Sequence, residues 1–161
     1  MKQIRIAFYI KSKTTFGGLI RTKQRYLDWF EWRYAQISHT EIDFGGNEFF
    51  SSSEVDGWVR FKYIDAKDWH WIFSKLIKIS NADYQKLYDF ALSKVSNKYN
   101  FTGIFFAMLL NFNKTRVWDY FCSQIVTRAG QEIDLFAPLC SLFTTPAMLA
   151  EYVDKKYWLE V

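Results

Sequence analysis

From Ile4 to Ile10 the chain is apolar at every position except Arg5. That pattern predicts a largely buried strand rather than one alternating between core and solvent. Lys11 to Thr15 read as a loop, and Phe16 to Arg21 as a short helical turn begun at Gly17 and Gly18. The next segment sets Tyr26, Leu27, Trp29, Phe30, Trp32 and Tyr34 among charges at roughly helical spacing. Two readings stay open for it: an amphipathic helix laid on the core, or an aromatic surface that faces a partner.

Between Ile37 and Phe44 the period becomes two. Ser38 and Thr40 alternate with His39, Glu41 and Asp43, so His39 and Glu41 share one face of a strand. Gly45, Gly46 and Asn47 mark a turn, Glu48 to Ser53 returns as a second strand, and Trp58 to Ile64 forms a third. In that third strand Trp58, Arg60 and Lys62 lie opposite Val59, Phe61 and Tyr63, and Trp69 to Ile77 can add a fourth. From Ser80 the period turns helical. Ser80 with Asp83 resembles a capping box, and Tyr84, Leu87, Tyr88, Ala91, Leu92 and Val95 share one helix face. Thr102 can cap a second helix through about Leu110. Tyr120 to Ala129 predicts a third helix with Gly130 at its C′ position, and Thr145-Pro146 opens a fourth. The expected class is α+β: one domain over residues 1–161, with an antiparallel meander packed against helices.

Composition adds a surplus of rings. The chain has 16 Phe, 10 Tyr and 7 Trp, more than an interior of this size needs, so some are expected to line a groove or a partner surface. Charge adds little: 21 basic residues face 17 acidic ones with both signs spread along the chain, and no nucleic-acid partner is predicted. The N-terminal apolar run before Lys11 is short and has no small-residue cleavage site, so no secretory signal is expected. The longest apolar run, Gly103 to Leu110, falls far short of the ~20 residues that span a bilayer. Cys122 and Cys140 do not make a disulfide framework, and the default compartment is reducing.

Those cysteines and the histidines, His39 and His70, lack the short pairwise spacing of zinc sites. No phosphate-binding glycine loop and no serine nucleophile elbow is present, so neither metal nor cofactor is predicted. Any catalysis falls to Cys122. It stands near the start of a predicted helix, where free N–H groups favour a thiolate, although a free cysteine is also a common core residue. Thiol chemistry needs a base, and the base needs an acceptor to fix its ring. His39 with Glu41 on its own face supplies that pair, against the plainer reading of a structural histidine. His70, between Trp69 and Trp71, reads as structural.

Taken together, Ser38 to Ile42 (SHTEI), Ser51 to Ser53 followed by Asp56 to Lys62 (DGWVRFK), Tyr99-Asn100-Phe101 and Phe121 to Gln124 (FCSQ) resemble the permuted NlpC/P60, papain-like superfamily, in particular its YiiX/YaeF-type branch with many phage-encoded members. The likeness spans about Ile4 to Tyr152, and the His-before-Cys order is the one the permutation requires. It implies a permuted papain-like fold and a cysteine hydrolase or acyltransferase of amidase or peptidase type. Its substrate would be a peptide, amide or acyl ester. In it Cys122 is the nucleophile at a helix N-terminus and His39 the general base and acid. Glu41 is the first choice for the third, orienting group, with Ser51 or Ser52 as runner-up. Tyr99 matches the family's aromatic position ahead of the nucleophile helix, where its hydroxyl is available to the site. The family often has Glu at the position of Gln124 and Gly at that of Trp58, and the aromatic insertion at about 25–36 is longer than usual. A competing expectation is a non-catalytic module, such as a phage virion or host-interaction component, that binds a protein through residues 26–34. Cytoplasmic or virion-associated location follows from either.

Overall fold

The computed structural model describes residues 1–10, 15–26, 31–65, 67, 70–101 and 120–160. Its strands are β1 (Lys2–Tyr9), β2 (His39–Asp43), β3 (Glu48–Ser53), β4 (Trp58–Tyr63), β5 (Trp71–Ser74), β6 (Ile77–Ile79) and β7 (Leu159–Glu160). Its helices are α1 (Thr15–Tyr26), α2 (Trp32–Ala35), α3 (Asn81–Lys94), α4 (Cys122–Gln131) and α5 (Pro146–Tyr157). The strands run in the order β4-β3-β2-β1-β5-β7, with β6 also on β1, and every pairing is antiparallel. The chain is therefore α+β, an antiparallel sheet packed with helices.

β1 is the hub. Its first half pairs β6 and its second half pairs β5 along one edge, while β2 takes the other. The single strand predicted over Trp69–Ile77 is thus two, because β1 meets them at different stations. Between those stations the Ile6 N–H donates to Ser74 Oγ at 2.9 Å, so the break leaves no buried donor unpaired there. Arg5, the one charge in the apolar run, faces its register partner Asp43, to whose Oδ2 it donates from Nε at 2.9 Å and Nη2 at 2.6 Å. Asp43 Oδ1 in turn accepts from the Gly45 N–H at 2.8 Å. The turn that follows holds Gly45, Gly46 and Asn47 all at positive φ, a path open to glycine and asparagine.

Ile6, Phe8, Ile42, Phe50 and Val59 from one sheet face form the core with Leu87 and Ala91 of α3, Ile125, Val126 and Ala129 of α4, and Leu149, Ala150 and Val153 of α5. The helix starts agree with the sequence: Ser80 Oγ accepts from the Asp83 N–H, and Thr145 Oγ1 accepts from the Met148 N–H ahead of Pro146. Three expectations change. The turn predicted over Phe16–Arg21 is part of the longer α1. The aromatic stretch Tyr26–Tyr34 is not one continuous helix within the described residues, since it holds the last residue of α1 and the start of α2; residues 27–30 lie outside them. Gly130 does not end its helix: α4 continues to Gln131, and the glycine is needed because a Cβ there would collide with the Phe136 ring. The helix expected over 102–110 and the ring of Trp69 lie outside the described residues. No helix among those residues is long and apolar enough to cross a membrane.

Candidate active site

The route from sequence to site begins at the outer edge of β4. The Val59 N–H donates to the Asn97 carbonyl at 2.8 Å and the Ser96 N–H to the Val59 carbonyl at 2.9 Å. The chain after α3 is thereby laid along this edge. It is held further by the Tyr99 N–H on the Gly57 carbonyl at 2.9 Å. Tyr120 then joins it: its N–H donates to the Lys98 carbonyl at 3.2 Å, and its carbonyl accepts from the Asn100 N–H at 3.1 Å. Ser52 Oγ donates to the same Tyr120 carbonyl at 2.6 Å. These bonds fix the residue two places before Cys122. Phe121 then turns the chain as an extended N-cap, and Cys122 is the first residue of α4. The amide N–H groups of that first turn have no acceptor within the helix.

β2 brings the imidazole. His39 Nε2 lies 2.8 Å from Glu41 Oε1, the same-face pairing expected from the two-residue period. With Nε2 engaged by the carboxylate, Nδ1 is the ring nitrogen left for the sulfur. Burial alone would push the imidazole down. The negative charge and hydrogen bond of Cys122, followed by those of Glu41, outweigh it and hold His39 up at about 9. An imidazole this basic is protonated at neutral pH and stands beside the sulfur as a cation. Glu41 is 1% exposed. Burial pushes its carboxyl up, but the hydrogen bond and charge of His39 and those of Arg60 prevail, leaving it below the usual carboxylate range.

Arg60 is the group that the sequence reading placed on a strand face without a role. Its Nη1 donates to Glu41 Oε2 at 3.2 Å, its Nη2 to Glu41 Oε1 at 3.0 Å, and its Nε to Asp56 Oδ2 at 2.9 Å. Lys62 Nζ reaches Asp56 Oδ1 at 3.1 Å. Burial raises Asp56, yet hydrogen bonds from Arg60, Lys62 and Ser53 bring it down to about 2. In the sheet Arg60 is opposite Ser51 in the β3–β4 register and lies on the Glu41 face, two strands from it.

The other predicted residues separate by role. Ser51 Oγ donates to the Thr40 carbonyl at 2.7 Å, and Ser52 holds Tyr120, so both hydroxyls are spent on backbone. Glu41 is the one of the three candidates bonded to the imidazole. Tyr99 stands near the sulfur: burial, then the charge of Cys122 and of Glu54, raise its phenol well above the ordinary value. Its ring, with Phe121 and Ile20 of α1, makes a small apolar cluster beside Cys122. A cleft of ≈ 380 Å³ reaches His39, Glu41, Arg60 and Tyr99, with Glu54, Asp65 and Trp71 on its walls. Cys122 itself is 1% exposed and does not line that cleft. His70 is buried with its ring 5.9 Å from Tyr9. Among the described residues no group of three or more His, Cys, Asp and Glu side chains is gathered as a metal site, and both cysteines are free thiols.

No model of a known protein family matches the chain, and no curated protein matches it. A thiol at a helix N-terminus, an imidazole beside it and a carboxylate on the far ring nitrogen can together form a thiolate, deliver a proton to a leaving group and hold the ring between the two steps.

Proposed function

We propose that this protein is a cysteine-dependent hydrolase or acyltransferase, of amidase or peptidase type, built on a permuted papain-like fold of the NlpC/P60 kind. The observation that carries the reading is the contact series Cys122–His39–Glu41, closed by the 2.8 Å bond from His39 Nε2 to Glu41. Cys122 Sγ attacks the carbonyl carbon of an amide or ester, forming a C–S bond and an oxyanion. The amide N–H of Cys122 at the start of α4 supports that oxyanion. His39 gives its proton to the leaving amine or alkoxide as the C–N or C–O bond breaks. A water, or an acceptor nucleophile in the transferase case, then attacks the thioester while His39 takes its proton. The acyl group leaves and the thiol is restored. Peptide, isopeptide and lipid-ester bonds are the substrate classes to try.

Intact-mass detection of an acyl adduct on Cys122 with a panel of such substrates, and loss of turnover by about a thousandfold or more in Cys122→Ala and His39→Ala, is the expected result. Turnover that survives Cys122→Ala would overturn the reading. The exposure of Tyr26 and Trp32 favours a second reading, a binding module such as a phage virion or host-interaction component that uses this aromatic face. It prevails if removing those rings abolishes function and Cys122→Ala leaves it intact.

A further inference from the structure

Within the Cys–His reading, on which this rests, we infer that Arg60 is a positioning residue: its guanidinium fork clamps Glu41 in the ionised form and orientation that hold His39 against Cys122. The geometry is specific. Both terminal nitrogens reach the two Glu41 oxygens at 3.0 and 3.2 Å, and the remaining Nε is anchored on Asp56 at 2.9 Å. The fork thus cannot rotate away without breaking contacts on both sides, which is the advantage of guanidinium over ammonium at a planar carboxylate. The Arg60 side chain is only 10% exposed, so its charge acts through little water.

The groups that surround the imidazole and carboxylate come from every neighbouring element. They are Tyr9 from β1, Arg60 and Lys62 from β4, Glu54 and Asp56 from the preceding turn, Asp65 after β4, Tyr99 from the edge segment, and Cys122 from α4. Besides the His39 imidazolium, Arg60 is the cation in direct contact with Glu41 among the described residues. Without it the Glu41–His39–Cys122 group loses one compensating positive charge. Each of its protons is then harder to remove, and the reactive thiolate appears at higher pH. A role in folding alone would lower stability and leave that pH in place.

The test reads the rate of Cys122 alkylation by iodoacetamide against pH, by intact mass, in Cys140→Ser protein so that one thiol reports. In Arg60→Met the acid limb is expected to move up by about one pH unit. Arg60→Lys, which keeps the charge, restores most of the shift. Added to Glu41→Gln, Arg60→Met moves the limb clearly less than it does alone, because the carboxylate through which it mainly acts is gone. That double variant removes both buried charges together and serves where the single variant does not fold. A limb at the wild-type pH in Arg60→Met, or an equal shift with and without Glu41, overturns the inference. If His39→Ala also leaves the limb unmoved, the Cys–His reading fails with it; if His39→Ala moves the limb, only the role of Arg60 is lost.

Discussion

At the scale of the residue, one carboxylate oxygen joins two charges: Glu41 Oε1 meets both His39 Nε2 and Arg60 Nη2. The pH dependence of stability follows from its neighbours. His39 is raised to about 9 from an ordinary 6.5. Its contribution is therefore fully present below about pH 6.5 and is lost as pH rises through about 9. Glu41 is depressed from 4.5 and contributes above that range, losing its effect as pH falls. The unfolding free energy from urea titrations should be highest between these limits and decline toward alkaline pH by an amount on the order of 3 kcal/mol. His39→Gln should flatten the alkaline decline; an unchanged decline in that variant would exclude the histidine as its source. His39 and Glu41 were legible because a two-residue period places side chains without reference to anything distant. Arg60 was not, because the two-residue period sets it beside Trp58 and Lys62 and carries no sign that it is buried. Only the turn at Asp56 and the neighbouring strands bury the middle member of that trio.

At the scale of the element, α4 depends on two contacts that its own sequence does not announce. Ser52 Oγ holds the Tyr120 carbonyl, and Ser52→Ala should cost about 1 kcal/mol while lowering the alkylation rate of Cys122, since the helix entry loses a tether. Chemical denaturation and the alkylation assay separate the two effects, and a rate equal to wild type would argue that the edge bonds alone suffice. Gly130 lies under the Phe136 ring, and Gly130→Ala should destabilise by roughly 1–3 kcal/mol through overpacking. Phe136→Leu in the same chain should recover part of that; additive losses would place the strain elsewhere. The caps at Ser80 and Thr145 could be read because a hydroxyl before a helix acts within a few residues. The end of α4 could not, since a glycine that permits a positive φ and one that admits a ring are the same letter. The split of β5 from β6 likewise belongs to β1, which meets them at different stations.

At the scale of the whole molecule, the ring surplus divides between the sheet faces. Phe44, Phe61, Tyr84 and Tyr88 cluster over the meander, with centroids 5.1–5.6 Å apart between the Phe and Tyr partners. Tyr9, Phe49, Trp71 and Phe73 gather near the cleft. Tyr26 and Trp32 remain outside, each beside the Arg25 guanidinium. The sequence showed an excess but not its division, because half of a face's burial comes from elements elsewhere in the chain. Tyr99 is the ring between cleft and thiol. Tyr99→Ala should raise the iodoacetamide rate of Cys122 several-fold at fixed pH by opening the floor, and an unchanged rate would mean that the reagent enters by another path.

The position of Tyr120 has a further consequence, in time rather than space. His39, Glu41 and Arg60 belong to consecutive hairpins, whose local contacts close quickly. The sulfur reaches them only after a distant stretch of chain has docked on the free edge of β4 and seated Tyr120 against it. A chain in which that stretch has not docked therefore holds the His39 ring and the Cys122 sulfur apart.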